Sequence, residues 1–85
     1  MFSSNRYKVL VELHQKKDHQ KVAEIMLRIA KENGLGKINS LADIDFYLVK
    51  HDKQLNVIMT KVYKNHHEIT IAMNDKDEVE IDTTK

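Results

Sequence analysis

The sequence predicts an α+β domain of two layers, with one helix packed on an antiparallel sheet in the order strand, helix, strand, strand, strand. Three observations carry this expectation. Residues 18–33 hold their apolar side chains at helical spacing. Residues 44–50, 55–63 and 68–73 are apolar and rich in β-branched residues, with polar breaks between them short enough for hairpins. The length of 85 residues suits one domain, 1–85, with little core to spare.

Residues 7–13 alternate. Tyr7, Val9, Val11 and Leu13 point one way, and Lys8, Leu10, Glu12 and His14 the other, which is strand period. Tyr7, Leu10, Val11 and His14 also fall at i, i+3, i+4 and i+7, so a helix competes with the strand here.

In residues 18–33, Val22, Ile25, Met26 and Ile29 share one face with Ala30 beside them, and Lys21, Glu24, Arg28 and Lys31 lie opposite. Asp18 can cap the start. Asn33-Gly34-Leu35 suits the stop, with Gly34 left-handed and Leu35 folded back on the last turn. Ile38 and Leu41 are expected at the edge of the core within the connection that follows.

The remaining segments read as a meander. A first hairpin folded about Asp52/Lys53 sets Phe46 opposite Met59 and Leu48 opposite Val57. A second, about Asn65/His66, sets Val62 opposite Ile69 and Thr60 opposite Ile71. In residues 74–85, Val79 and Ile81 alternate with Glu78, Glu80 and Asp82, the pattern of a charged edge strand or an acidic flexible tail.

A rival parse starts from Ser40-Leu41-Ala42-Asp43, which has the form of a capping box. Leu41, Ile44, Leu48 and His51 then keep helical spacing. With residues 5–16 helical as well, the order becomes that of a winged helix, with 40–52 as recognition helix and 55–63 and 66–73 as the wing. Asp43 and Asp45 speak against it, since they would bring carboxylates to phosphates. Lys61, Lys64 and His66 at the wing tip speak for it.

Composition limits the function. There is no cysteine, so a reducing, cytoplasmic setting is expected. Lys8 and Glu12 interrupt the N-terminal region, which argues against a signal peptide, and apolar runs such as 46–49 are far too short for a membrane span. The net charge of +1 divides unevenly: residues 1–73 carry twelve Lys/Arg against eight Asp/Glu, and residues 74–85 carry two against five. A body this mildly basic lacks the dense stripe of a nucleic-acid binder.

Catalytic material is sparse. His14, His19, His51, His66 and His67 fall in presumed turns without a recognised ligand spacing, so solvated histidines are the simpler reading and no metal is expected. Ser3, Ser4 and Ser40 sit in no nucleophile elbow, and Gly34-x-Gly36 is better read as a helix stop than as a phosphate loop. Asp43 and Asp45 read as hydrated loop carboxylates. The chain is expected to be no enzyme and to need no cofactor.

The meander offers the best clue to a partner. Ile44, Phe46, Leu48, Val57 and Met59 lie on one face; Val49, Ile58, Val62, Ile69, Ile71 and Met73 lie on the other. One helix covers one face, and an uncovered apolar face marks an interaction site. The sequence therefore suggests a small non-catalytic regulatory or inhibitory protein, a homodimer that binds a further protein, with Tyr47, Val49, Ile58, Val62, Ile69 and Ile71 as partner-binding residues. The alternative is a winged-helix nucleic-acid-binding regulator using Lys50, Lys53, Lys61 and Lys64. Basic residues between Arg6 and Lys37, with Tyr7, Tyr47 and Tyr63, would also suit a sheet that stacks single strands, although half-buried core tyrosines explain the aromatics as well.

Overall fold

The computed structural model describes residues 5–36 and 38–84 of the chain, so Ser3, Ser4 and Lys37 lie outside the described residues. Two helices, α1 (Arg6–Gln15) and α2 (His19–Glu32), precede a four-stranded antiparallel meander, β1 (Phe46–Asp52), β2 (Val57–Lys64), β3 (His67–Asn74) and β4 (Val79–Thr84). Both helices pack on one face of the sheet. The expected α+β class, two layers with helix against antiparallel sheet, is the observed one.

The first element is the correction. Residues 6–15 form a helix and not a strand. Helical spacing buries Tyr7 and Leu10 and leaves Val9 48% exposed, whereas the strand reading put Val9 inside and Leu10 outside. The two ends of α1 explain the choice. Asn5 accepts from the Lys8 amide at 2.9 Å, and Asp77, from the β3–β4 turn, accepts from the amides of Arg6 and Tyr7 at 3.0 and 2.9 Å. These three amides have no carbonyl partner within the helix, and a carboxylate also favours that end of the dipole. The C-terminal end closes through Lys17, which holds φ of 64° in place of the usual glycine.

Helix α2 forms as its sequence demands. Asp18 caps it through the Lys21 amide at 3.2 Å. Gly34 takes φ of 102°, and the Leu35 amide returns to the Ala30 carbonyl at 2.9 Å, closing a Schellman stop. Val22, Ala23, Met26, Leu27, Ile29 and Ala30 are buried against the sheet, with Ile25 half-buried at the margin.

The capping box at Ser40 is present, with Asp43 accepting from the Ser40 and Asn39 amides, but it opens only a 3-10 turn, Leu41–Asp43. Ile44 is already extended, and 46–52 is a strand. The winged-helix order, which needs a recognition helix over 40–52, is therefore not the fold.

The β2–β3 register is the expected one: Val62 pairs with Ile69 and Thr60 with Ile71, about a turn in which Asn65 and His66 both hold positive φ. The β1–β2 register differs from expectation. Phe46 pairs with Tyr63 and Leu48 with Lys61, because the loop spans 53–56 and not a pair centred on Asp52/Lys53. Asp52 accepts from the amides of Gln54 and Leu55, and Asn56 takes φ of 54°, which together close the longer loop. The slip is an even number of residues, so each side chain keeps its face. Residues 79–84 form the edge strand β4 and not a flexible tail.

Strand alternation assigns the two faces. Tyr47, Val49, Ile58, Thr60, Val62, Ile69, Ile71, Met73, Val79 and Ile81 turn toward the helices. Phe46, Leu48, Lys50, Val57, Met59, Lys61, Tyr63, Thr70, Ala72, Glu80 and Asp82 turn away. Thr60 is completely buried, and its Oγ1 has no hydrogen-bond partner among the described residues.

Candidate functional site

The residues named from sequence as partner-binding do not form a surface in this chain. Ile58, Val62 and Ile71 are fully buried under the helices, and Tyr47, Val49 and Ile69 are half-buried against the same core. The uncovered face is the opposite one. Two sequence features distinguish them. The covered face is apolar across all four strands, as a helical lid requires. The open face is apolar on β1 and β2 only and becomes polar and acidic on β3 and β4.

The open face has a graded composition. Phe46 and Leu48 on β1 are 56% and 42% exposed. The rings of Phe46 and Tyr63 lie 5.8 Å apart, tilted by 34°. Val57 and Met59 continue the apolar strip along β2. Lys50 stands exposed on β1; Lys61 on β2 reaches Glu68 on β3 at 3.8 Å. Beyond Thr70 and Ala72, β4 contributes the exposed Glu80 and Asp82. The cross-strand partners place Lys50, Met59, Ala72 and Glu80 in one row, and Leu48, Lys61, Thr70 and Asp82 in the next.

The four lysines of the nucleic-acid alternative are dispersed. Lys50 and Lys61 share the open face, Lys53 lies in the β1–β2 loop, and Lys64 ends β2 on the side of Val62. An open groove of about 590 Å³ runs beside the free edge of β1, between His19 and Leu41 on one side and Tyr47 and Val49 on the other.

A second assembly lies where the helical hairpin meets the end of β1. His14 of α1, His19 of α2 and His51 of β1 come together although 37 positions separate the first from the last. The His14 ring stands edge-on to His19 at 5.3 Å and to His51 at 5.8 Å. The Tyr7 hydroxyl is in hydrogen-bond contact with Nε2 of His51 at 2.9 Å. Burial, and then the positive charges of His19, His51 and Lys53, hold the His14 imidazole below its ordinary range. Burial, and then the charge of Asp75, push the Tyr7 hydroxyl up, so it keeps its proton. Among the described residues no group of three or more His, Asp or Glu side chains converges as metal ligands would. The sequence reading treated these histidines as separate turn residues; the i, i+7 spacing of Tyr7 and His14 was the signal that both share one helix face.

Comparison with protein-family models, with curated proteins and with solved structures finds no match to this chain. Among the described residues no helix is long and apolar enough to cross a membrane. The fold and its surfaces therefore define a small two-layer α+β protein with two helices on one face of a four-stranded meander and an open face on the other.

Proposed function

We propose that this chain is a small non-catalytic regulatory or inhibitory protein that acts by protein–protein binding as a homodimer, with the open face of its sheet as the contact between copies. The row Lys50, Met59, Ala72, Glu80 carries the reading. A twofold axis parallel to the strands, between β2 and β3, lays β1 of one copy on β4 of the other, and β2 on β3. The row then reads Lys-Met-Ala-Glu against Glu-Ala-Met-Lys. Lys50 meets Glu80 and Met59 meets Ala72, twice over, as an isologous interface requires. In the next row the same axis sets Leu48 against Asp82 and Lys61 against Thr70, so the apolar gain of about 25 cal/mol for each Å² covered on Phe46 and Leu48 is partly offset by the carboxylate beside Leu48. The cysteine-free composition supports a reducing, cytoplasmic setting for such a protein.

Sedimentation at micromolar concentration tests the reading. The native chain should run at twice its own mass. Lys50→Glu and Glu80→Lys should each weaken the dimer, and the double exchange should restore it. A chain of monomer mass throughout would end the proposal, and a double exchange weaker than either single change would end this pairing.

A second reading draws on Phe46 beside Tyr63, flanked by Lys50 and Lys61, which is the composition of a stacking platform for single-stranded nucleic acid. Glu80 and Asp82 on the same face repel a phosphate backbone and favour the protein partner.

A further inference from the structure

Helix α1 is held more lightly than α2. It buries two side chains, Tyr7 and Leu10, against six for α2. Its N-terminal end is fixed by the Asp77 carboxylate, which accepts from the Arg6 and Tyr7 amides. Its C-terminal end meets the rest of the protein at the histidine cluster. There His14 faces His19 from the start of α2, His51 from the end of β1 and Lys53 from the following loop, and His51 in turn contacts the hydroxyl of Tyr7, two turns back on the same face of α1. Burial first, and then repulsion from His19, His51 and Lys53 on three different elements, disfavours a proton on His14.

We infer that His14, His19 and His51 form a proton-sensitive latch, which holds the end of α1 against α2 and β1 at neutral pH and releases it in mild acid. The direction follows from linkage. The folded state binds the His14 proton less readily than the unfolded or opened chain, so His14 contributes stability that is fully present above 6.5. That contribution is lost as pH falls from 6.5 through the lower value of the folded state. Because α1 has few buried contacts, the loss appears first as local opening of α1 and only later as global unfolding.

Amide hydrogen exchange of the full chain, corrected for the intrinsic pH dependence of exchange, tests the latch between pH 7.5 and 5.5. The opening constant of the α1 amides should rise as pH falls, by up to about tenfold per pH unit for one proton taken up on opening. The α1 amides should open at a free energy well below that of the β2 and β3 amides at every pH in this range. His14→Gln should remove the pH dependence of α1 whatever it does to the opening level at pH 7.5, so a loosened variant remains informative. NMR titration of the His14 ring supplies a second reading: His19→Gln should move its midpoint up toward 6.5. An α1 opening constant independent of pH in the native chain, an unchanged slope in His14→Gln, or an unmoved His14 midpoint in His19→Gln would each overturn the latch.

Discussion

Leu10 and Val9 are neighbours that the helix and the strand readings of residues 6–15 assign to opposite sides, so a pair of alanine substitutions separates them. Leu10 is completely buried and Val9 is 48% exposed. Leu10→Ala removes three buried carbons, worth about 2.4 kcal/mol at roughly 0.8 kcal/mol each. The cavity adds to this, and the total for such changes is about 2.7–5 kcal/mol. A chain of 85 residues has roughly 4–13 kcal/mol of stability to lose, so Leu10→Ala removes a large part of it and Leu10→Val, at about 1 kcal/mol, is the milder companion. Val9→Ala removes two carbons that already face water and exchanges a β-branched residue for the best helix former, so it should lie within about 0.5 kcal/mol of native, on the stabilising side if anywhere. Urea titration at 10 °C followed by circular dichroism gives both numbers, with an unchanged m value as the check that the end states are the same. A Val9→Ala cost larger than that of Leu10→Ala would mean that residues 6–15 pack as a strand, and the two-helix lid would fall with it.

Thr60→Val should raise stability by about 1 kcal/mol, because it replaces a buried hydroxyl without a partner by a methyl of the same shape; a midpoint of thermal unfolding at or below the native one would refute this. Lys17→Gly should also stabilise, by up to about 1 kcal/mol, since Lys17 holds the left-handed conformation that closes α1; denaturant unfolding decides, and a loss would mean that the Lys17 side chain contributes more than its backbone strain costs. Mixed-sequence duplex DNA should not bind at physiological salt, as fluorescence anisotropy with a labelled duplex will show, because 46–52 is a strand and, of Lys50, Lys53, Lys61 and Lys64, only Lys50 and Lys61 share a face. A tight, salt-sensitive complex would require another basic surface.

Helix α2 and the β2–β3 hairpin were legible because their signals are local. Asp18, Gly34 and the apolar stripe between them specify the helix, and Asn65-His66 between two alternating runs specifies the turn. Helix α1 was not legible in the same way. Its stop carries no glycine, as Lys17 occupies the left-handed position, and part of its start is capped by Asp77, some 70 residues away. Positive φ falls on Lys17, Asn56, Asn65, His66 and Asp77, so glycine marks only one of the turns that need it, at Gly34. The first hairpin was misplaced for this reason: Asp52 and Asn56 define its loop, and neither is a strong breaker. The covered face was misassigned on different grounds. Both faces of β1 and β2 are apolar, and only the continuation onto β3 and β4, Ile69-Ile71-Met73 against Thr70 and Ala72, and Val79-Ile81 against Glu80 and Asp82, tells which face a lid must cover.

Strand β1 joins the two proposals in one element. It pairs with β2 on one side only, so its position depends on what its two faces touch. The inward residues Tyr47 and Val49 rest on the core and His51 belongs to the latch. The outward residues Phe46, Leu48 and Lys50 carry most of the exposed apolar surface of the open face and the cation that Glu80 of a second copy would meet. A strand cannot shift one set of side chains without the other, because alternate residues share one backbone. Release of the latch therefore removes one of the restraints on β1 from behind while leaving the β1–β2 ladder to hold it from the side. The face presented to a second copy would be best ordered when His14 is neutral, and any coupling between proton uptake and self-association must pass through the short stretch from Leu48 to His51.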